Sequence, residues 1–94
     1  MDRLTDSQIE EQLRELSEWS ANNGAIQRTY QFRDFPQAIA FVNSVAEAAE
    51  AAQHHPDILI RFNKVTLTLS THDAGGITAK DFDLAATADA LRAR

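Results

Sequence analysis

The 94-residue sequence contains no cysteine, which excludes disulfides, thiolate catalysis and zinc sites built on sulfur. No stretch approaches the roughly 18 apolar residues that a membrane span requires, and the N-terminus lacks the pattern of a signal peptide. Lysine and arginine number only nine, against 14 acidic residues, and they are scattered. Because a phosphate backbone is neutralised by clustered positive charge, nucleic-acid binding is not expected. We expect a cytoplasmic protein that binds neither nucleic acid nor membrane.

The length predicts one domain spanning residues 1–94, without repeats, low-complexity tracts or linkers. A core of this size leaves little stability to spare, and self-association would add to it. We therefore expect a homo-oligomer, at least a dimer.

Three capping patterns predict three helices, at about residues 6–17, from Asp34 towards His54, and from Thr78 onward. Alternating apolar residues predict strands at 25–32, 58–62 and 65–71, whereas residues 19–23 are ambiguous beside the Asn23-Gly24 turn signal. Two hairpins separated by helices give the order α-β-β-α-β-β-α. This order predicts an α+β fold, with a four-stranded antiparallel sheet and three helices packed on one face.

All three histidines fall within one stretch of 19 residues, as His54, His55 and His72. Histidine exchanges protons near neutral pH, with an unperturbed pKa of about 6.5, so this clustering indicates proton chemistry or ligand binding. His54 and His55 are adjacent near a helix end, and their side chains are expected to point in different directions. If the helix persists to His54, Glu50 lies one turn before it and could fix its tautomer. The alternative is an ordinary surface pair at a helix end.

His72 follows the last predicted strand and precedes Gly75-Gly76, in a loop position that often carries function, although it could equally be an exposed turn residue. Asp81 has two interpretations as well. As the third residue after Thr78 it is explained by a capping box, yet it could also hold His72 or the loop in place.

Three histidines and a carboxylate also match the ligands of zinc or iron, but adjacent histidines diverge and do not share a small coordination shell easily. No metal is therefore expected. A serine hydrolase is disfavoured because no Gly-x-Ser-x-Gly motif is present.

Several segments together resemble pterin-4a-carbinolamine dehydratases, in order and in spacing, and the similarity covers nearly the whole chain from Tyr30 to Ala86. They are Glu50 to Asp57 (EAAQHHPD), Asn63 to Val65 (NKV), Ser70 to Asp73 (STHD), Gly75 to Thr78 (GGIT) and Asp81. The departures from the family pattern are modest, with Gln53 where some relatives are acidic and Phe62 where tyrosine is usual.

The resemblance implies dehydration of 4a-hydroxytetrahydrobiopterin to the quinonoid dihydropterin, a hydro-lyase reaction that recycles the pterin of aromatic amino acid hydroxylases and needs no cofactor. It implies catalytic roles for His54, His55 and His72. Supporting or substrate-binding roles fall to Glu50, Asp81 and the segment Ser70 to Thr71. The resemblance also implies a homodimer or a homotetramer. The alternatives are a dimerisation or interaction module without catalysis, known among animal relatives, and a role related to molybdopterin.

Overall fold

The structure is a computed structural model that describes residues 2–94. Its elements follow the predicted order α-β-β-α-β-β-α, and a short 3-10 turn at His72–Ala74 separates the last strand from the last helix. The elements are α1 (Asp6–Glu15), β1 (Ser20–Asn22), β2 (Ala25–Gln31), α2 (Phe35–Ala52), β3 (Asp57–Arg61), β4 (Lys64–Leu69) and α3 (Ala79–Arg92). Among the helices of residues 2–94, none combines the length and apolarity needed to cross a bilayer.

The helices begin at the capping residues that the sequence indicates. Thr5 and Thr78 each form a reciprocal capping box at the start of α1 and α3. The side chain of Asp34 accepts a hydrogen bond from the backbone N–H of Gln37 at the start of α2. Each cap satisfies a backbone donor that has no partner inside the helix. The starting points of the helices were therefore readable from short local patterns.

The four strands form one antiparallel sheet in the order β1-β2-β4-β3. The ambiguous segment before Asn23 is strand β1, which pairs with β2 across a tight turn. Asn23 and Gly24 both have positive φ, at 53° and 77°, as the favoured two-residue hairpin turns require. The order leaves β1 and β3 at the two edges of the sheet.

The core lies between the sheet and the helices, and α2 buries a narrower stripe than its sequence predicts. Its buried residues are Ala38, Phe41, Val45 and Ala49, at helical spacings of three and four. The helical spacing of apolar residues predicts a wider stripe, of Phe35, Ala38, Ile39, Val42, Val45, Ala46 and Ala49. Phe35 and Ala46 are instead exposed, and Phe41, which is outside that pattern, is the large buried side chain. Val42 is partly buried and packs against the same core.

A carboxylate near the end of α3 fastens that helix to the sheet. Asp89 Oδ1 accepts hydrogen bonds from Trp19 Nε1 at 3.0 Å, Arg28 Nη1 at 2.8 Å and the Tyr30 hydroxyl at 2.5 Å. The Arg28 guanidinium also lies 4.2 Å from the centre of the Tyr30 ring. Burial of Tyr30, and secondly its hydrogen bond to Asp89, raise the pKa of the phenol well above its usual value.

This raised pKa predicts that the protein loses stability under alkaline conditions. Below about pH 10 the phenol is neutral in both folded and unfolded chains, and its contribution is complete. Above that pH the unfolded chain ionises first, so the free energy of unfolding falls as pH rises. Urea unfolding monitored by Trp19 fluorescence should show this fall, and Tyr30→Phe should weaken it while costing about 1 kcal/mol at neutral pH. Since Tyr30 is the one tyrosine of the sequence, tyrosinate absorbance appearing near pH 10 in the folded protein would contradict the prediction.

Candidate active site

The end of α2 determines where the paired histidines lie. The helix stops at Ala52, because Gln53 adopts a left-handed conformation with φ 52° and ψ 43°. The N–H of Gln53 bonds to the carbonyls of Ala49 and Glu50, and the N–H of His54 bonds to the Ala49 carbonyl at 3.1 Å. This is a common way to end a helix, with the last carbonyls satisfied by the two residues that follow. The condition that α2 persists to His54, on which the Glu50–His54 pair depended, is therefore not met.

The turn at Gln53 also changes the partner of Glu50. In a continuing helix His54 would lie one turn above Glu50, but the left-handed residue rotates it away. Glu50 Oε1 instead contacts His55 Nε2 at 2.9 Å. Both side chains are largely exposed, at 82% and 66%. The predicted Glu50–His54 pair is thus replaced by a solvated Glu50–His55 pair, which adds little to stability.

His54 pairs with Asp81, the carboxylate that begins α3. His54 Nε2 lies 2.5 Å from Asp81 Oδ1, and the imidazole is only 10% exposed. Asp81 is completely buried. Its second oxygen accepts from the Thr71 hydroxyl at 3.0 Å and from the Thr78 backbone N–H at 2.9 Å. Asp81 therefore caps its helix, as one interpretation held, and it also holds the loop through Thr71, but its histidine is His54 and not His72.

The hydrogen bonds around Asp81 assign a tautomer to His54. With Thr71 and Thr78 donating to one carboxylate oxygen, Asp81 acts as an acceptor, and the hydrogen of the His54 contact belongs to Nε2. In the neutral ring Nδ1 is then a proton acceptor. Every buried side-chain nitrogen and oxygen of residues 2–94 has a hydrogen-bond partner. Since Nδ1 of His54 bonds to no other side chain, it is not one of these buried atoms and it reaches solvent. In the His54 ring, Nε2 is thus bound to Asp81, and Nδ1 is available to accept a proton.

His72 lies on the adjoining loop. It opens the 3-10 turn and is exposed, as is Ser70 at the end of β4. Its neighbour Thr71 donates to Asp81, and Asp81 contacts His54. A chain of two hydrogen bonds therefore connects the loop of His72 to the ring of His54. In residues 2–94 no three His, Cys, Asp or Glu side chains cluster as a metal site would need.

Thr78 is a member of this site that the sequence presented only as a helix cap. Its side chain is fully buried, and its hydroxyl lies 2.7 Å from the Thr71 hydroxyl. Since Thr71 donates to Asp81, Thr78 donates to Thr71, and its own oxygen accepts from the Lys80 N–H. The Thr-x-x-Asp spacing indicated the cap, but no local pattern indicated that Thr71 would lie against it.

The sequence is similar to those of known proteins over nearly its whole length. The sequence profile of the family described as pterin 4 alpha carbinolamine dehydratase matches residues 2–91. The chain belongs to this family. A protein of Picosynechococcus is 58% identical over 95% of this chain and 97% of its own length, and one of Roseiflexus castenholzii is 59% identical over 94% and 95%. Both are provisionally named pterin-4-alpha-carbinolamine dehydratases, which are hydro-lyases.

Solved structures share the fold of this dehydratase-family chain. A transcriptional coactivator/pterin dehydratase from Brucella melitensis superposes with a TM-score of 0.92 at 37% identity, over 96% of this chain and 98% of that one. A pterin dehydratase-like protein identified as a RuBisCO assembly factor of the alpha-carboxysome gives a TM-score of 0.64 at 24% identity, over 78% and 84%. The second similarity concerns the fold alone, so the fold does not by itself specify an activity.

The burial of Asp81 predicts unequal effects for the two carboxylates of the site. Asp81→Ala removes a helix cap and leaves His54 and Thr71 without their acceptor, which should lower the free energy of unfolding by about 2–5 kcal/mol. Glu50→Ala, the matched control at an exposed position, should produce no measurable change. Urea unfolding of both variants provides the measurement, and equal effects would contradict the assignment of Asp81 as the buried centre of the site.

Proposed function

We propose that the protein dehydrates 4a-hydroxytetrahydropterins to quinonoid dihydropterins, and that it recycles the pterin of an aromatic amino acid hydroxylase. The observation that carries the proposal is the family match over residues 2–91, in a chain that holds His54 against the buried carboxylate of Asp81. We also propose that residues 1–94 form one domain of this kind.

The reaction is an elimination of water. The hydroxyl on C4a is protonated, the C4a–O bond breaks with its electron pair leaving on water, and a ring nitrogen loses a proton to give the quinonoid product. Hydroxide is a poor leaving group, so an acid near the oxygen and a base near the nitrogen accelerate the step. Such proton transfers contribute about 100- to 10,000-fold. Imidazoles serve in both roles near neutral pH.

In this proposal His54 is the best-oriented proton carrier. Asp81 holds its Nε2, so Nδ1 is the nitrogen that exchanges a proton with the substrate. A ring held by a buried partner needs little reorganisation when the substrate binds. Asp81 is accordingly a positioning residue, since its oxygens are occupied by three donors of the protein.

His72 and His55 supply the remaining groups. Their exposure leaves both rings accessible to a ligand, and we assign His72 to orienting the pterin and sharing the acid-base work. His55 takes part in proton transfer, with Glu50 as its hydrogen-bond partner. Backbone groups of Ser70 contribute hydrogen bonds to the pyrimidine edge of the ring. Thr71 supports the site through its hydroxyl bond to Asp81, because its backbone N–H and carbonyl are bonded within the loop.

We predict that His72→Ala lowers kcat/KM at least about 100-fold while leaving the urea midpoint unchanged, because an exposed turn residue contributes little to the core. The measurement is a stopped-flow assay with freshly generated 4a-hydroxytetrahydropterin. Asp73→Ala, which changes the next exposed residue of the same turn, is the control and should remain active.

Near-normal turnover by His72→Ala would refute the role of His72 in this reaction.

Exhaustive chelation of the wild-type protein is expected to leave turnover unchanged in the same assay, because the imidazoles act as proton carriers. A stoichiometric metal whose removal abolishes turnover would refute the proposed chemistry.

We further propose that the protein pairs with a second copy of itself through β3. Among the strands of residues 2–94, this edge strand pairs only with β4, and all five of its residues are exposed. Three apolar side chains of the strand are 37–54% exposed, and Phe62 beside it is 71% exposed. An uncovered apolar edge strand readily adds another strand. A twofold pairing would extend the sheet from four strands to eight.

The sequence of β3 favours pairing with itself in one register. It reads Asp-Ile-Leu-Ile-Arg, and antiparallel pairing of two copies centred on Leu59 places each Asp57 opposite an Arg61. The same register sets Ile58 opposite Ile60. Opposite charges and apolar residues facing each other across strands stabilise such a pair.

This register predicts the outcome of a charge exchange. Asp57→Arg and Arg61→Asp each place like charges opposite one another and should raise the dimer dissociation constant at least about tenfold. The double variant restores opposite charges and should recover the dimer. Sedimentation equilibrium with all four proteins tests this, and a wild-type protein that is monomeric at micromolar concentration would refute the pairing.

A further inference from the structure

The segment that precedes α1 lies across the loop of His72. The backbone N–H of Leu4 donates to the Ile77 carbonyl at 2.8 Å, which aligns the segment beside the end of the loop. One residue earlier, Arg3 reaches over the glycine pair, with its Nη1 3.5 Å from the Gly75 carbonyl. A bond of that length is weak. The contact of interest is therefore made by the aliphatic part of Arg3.

The two glycines of the loop are needed for different reasons. Gly75 has a φ of 74°, in the left-handed region that other residues rarely adopt. Gly76 lies outside that region, but a Cβ on it would fall 2.5 Å from Arg3 Cδ and 3.0 Å from Arg3 Cγ. The side chain of Arg3 thus packs directly on the backbone of Gly76 and occupies the space where any other side chain would begin.

Gly76 in turn forms the base of the His72 turn. Its carbonyl accepts from the Thr71 N–H at 2.8 Å, and the two residues form an isolated bridge that closes the loop. Thr71 precedes His72 directly and donates through its hydroxyl to Asp81. A displacement of Gly76 would therefore be transmitted to the residue that sets the position of the His72 backbone.

We propose that Arg3 is a positioning residue for His72, and that it acts through the packing of its methylene stem on Gly76. Its head is exposed and its hydrogen bond to Gly75 is long, so the charge contributes little. His72 is exposed, and its turn is closed by backbone bonds. The stem of Arg3 is the side chain that packs on the base of this turn. The proposal rests on the function proposed above in one respect, the participation of His72 in the reaction.

The test compares Arg3→Ala with Arg3→Met in the stopped-flow assay. Arg3→Ala removes the stem and should lower kcat about tenfold, because small displacements of a reacting group are costly. Arg3→Met keeps a stem of similar length without the charge, and it should stay within about twofold of wild type. Gly76→Ala should resemble Arg3→Ala, since the new Cβ displaces the stem. The double variant Arg3→Ala/Gly76→Ala should be no worse than either single change.

The effect of Arg3 must disappear when His72 is absent. In a His72→Ala background, Arg3→Ala should cause no further loss of kcat, whereas a general loss of stability would lower both backgrounds alike. An equal loss in both backgrounds, or a loss in Arg3→Met as large as in Arg3→Ala, would overturn the proposal.

A second measurement does not depend on activity. The NMR signals of the His72 ring and of the amides of residues 71–76 should shift in Arg3→Ala and stay in place in Arg3→Met. If they do not move in Arg3→Ala, the positioning role is refuted even where turnover falls. If they move while His72→Ala is fully active, Arg3 positions the loop, and it is the catalytic role of His72 that fails.

Discussion

The carboxylate of Asp81 is the interaction on which the site depends. It is completely buried and accepts from three parts of the fold: His54 after α2, Thr71 after β4, and Thr78 at the start of α3. A buried charge without such partners would be expensive, so the three donors and the carboxylate are stable only together. The fold and the geometry of the candidate site are therefore determined by the same group.

A second carboxylate of α3 secures the other end of that helix. Asp89 follows Asp81 by eight residues, about 12 Å along the helix axis, and accepts from Trp19, Arg28 and Tyr30. Asp81 faces the loop and the end of α2, whereas Asp89 faces the sheet. Two polar attachments of this kind fix both the position and the rotation of α3, which apolar packing alone specifies less precisely.

The elements of the fold could be read from the sequence because their signals are local. Caps such as Thr5 and Thr78 and the alternation of residues in β2 and β4 lie within a few positions of the structure that they determine. The family resemblance then indicated the candidate site residues as a group. The pairing of those residues was less accessible, because one left-handed residue, Gln53, exchanged the expected partner of Glu50 from His54 to His55.

The contacts that no local pattern indicated are those that join distant segments. Asp89 accepts hydrogen bonds from residues 59–70 positions away, and Arg3, near the start of the chain, packs on Gly76. Gly75-Gly76 shows the limit clearly. The sequence predicts a turn there, and Gly75 is explained by its positive φ. Gly76 is explained only by the Arg3 side chain, which lies where a Cβ of residue 76 would be.

The candidate site also combines a buried His54–Asp81 pair with exposed histidines, which suits the proposed elimination. His54 follows the C-terminus of α2, and Asp81 lies in the first turn of α3, where the helix dipole favours an anion. The ends of two helices therefore hold the His54–Asp81 pair in a water-poor position, with the imidazole 10% exposed and the carboxylate fully buried. His55 and His72 are exposed instead, and both rings are accessible from solvent. Under the function that we propose, His54 is a proton carrier held in advance and the two exposed rings meet the pterin from solvent, so that orientation and access come from different residues of the same site.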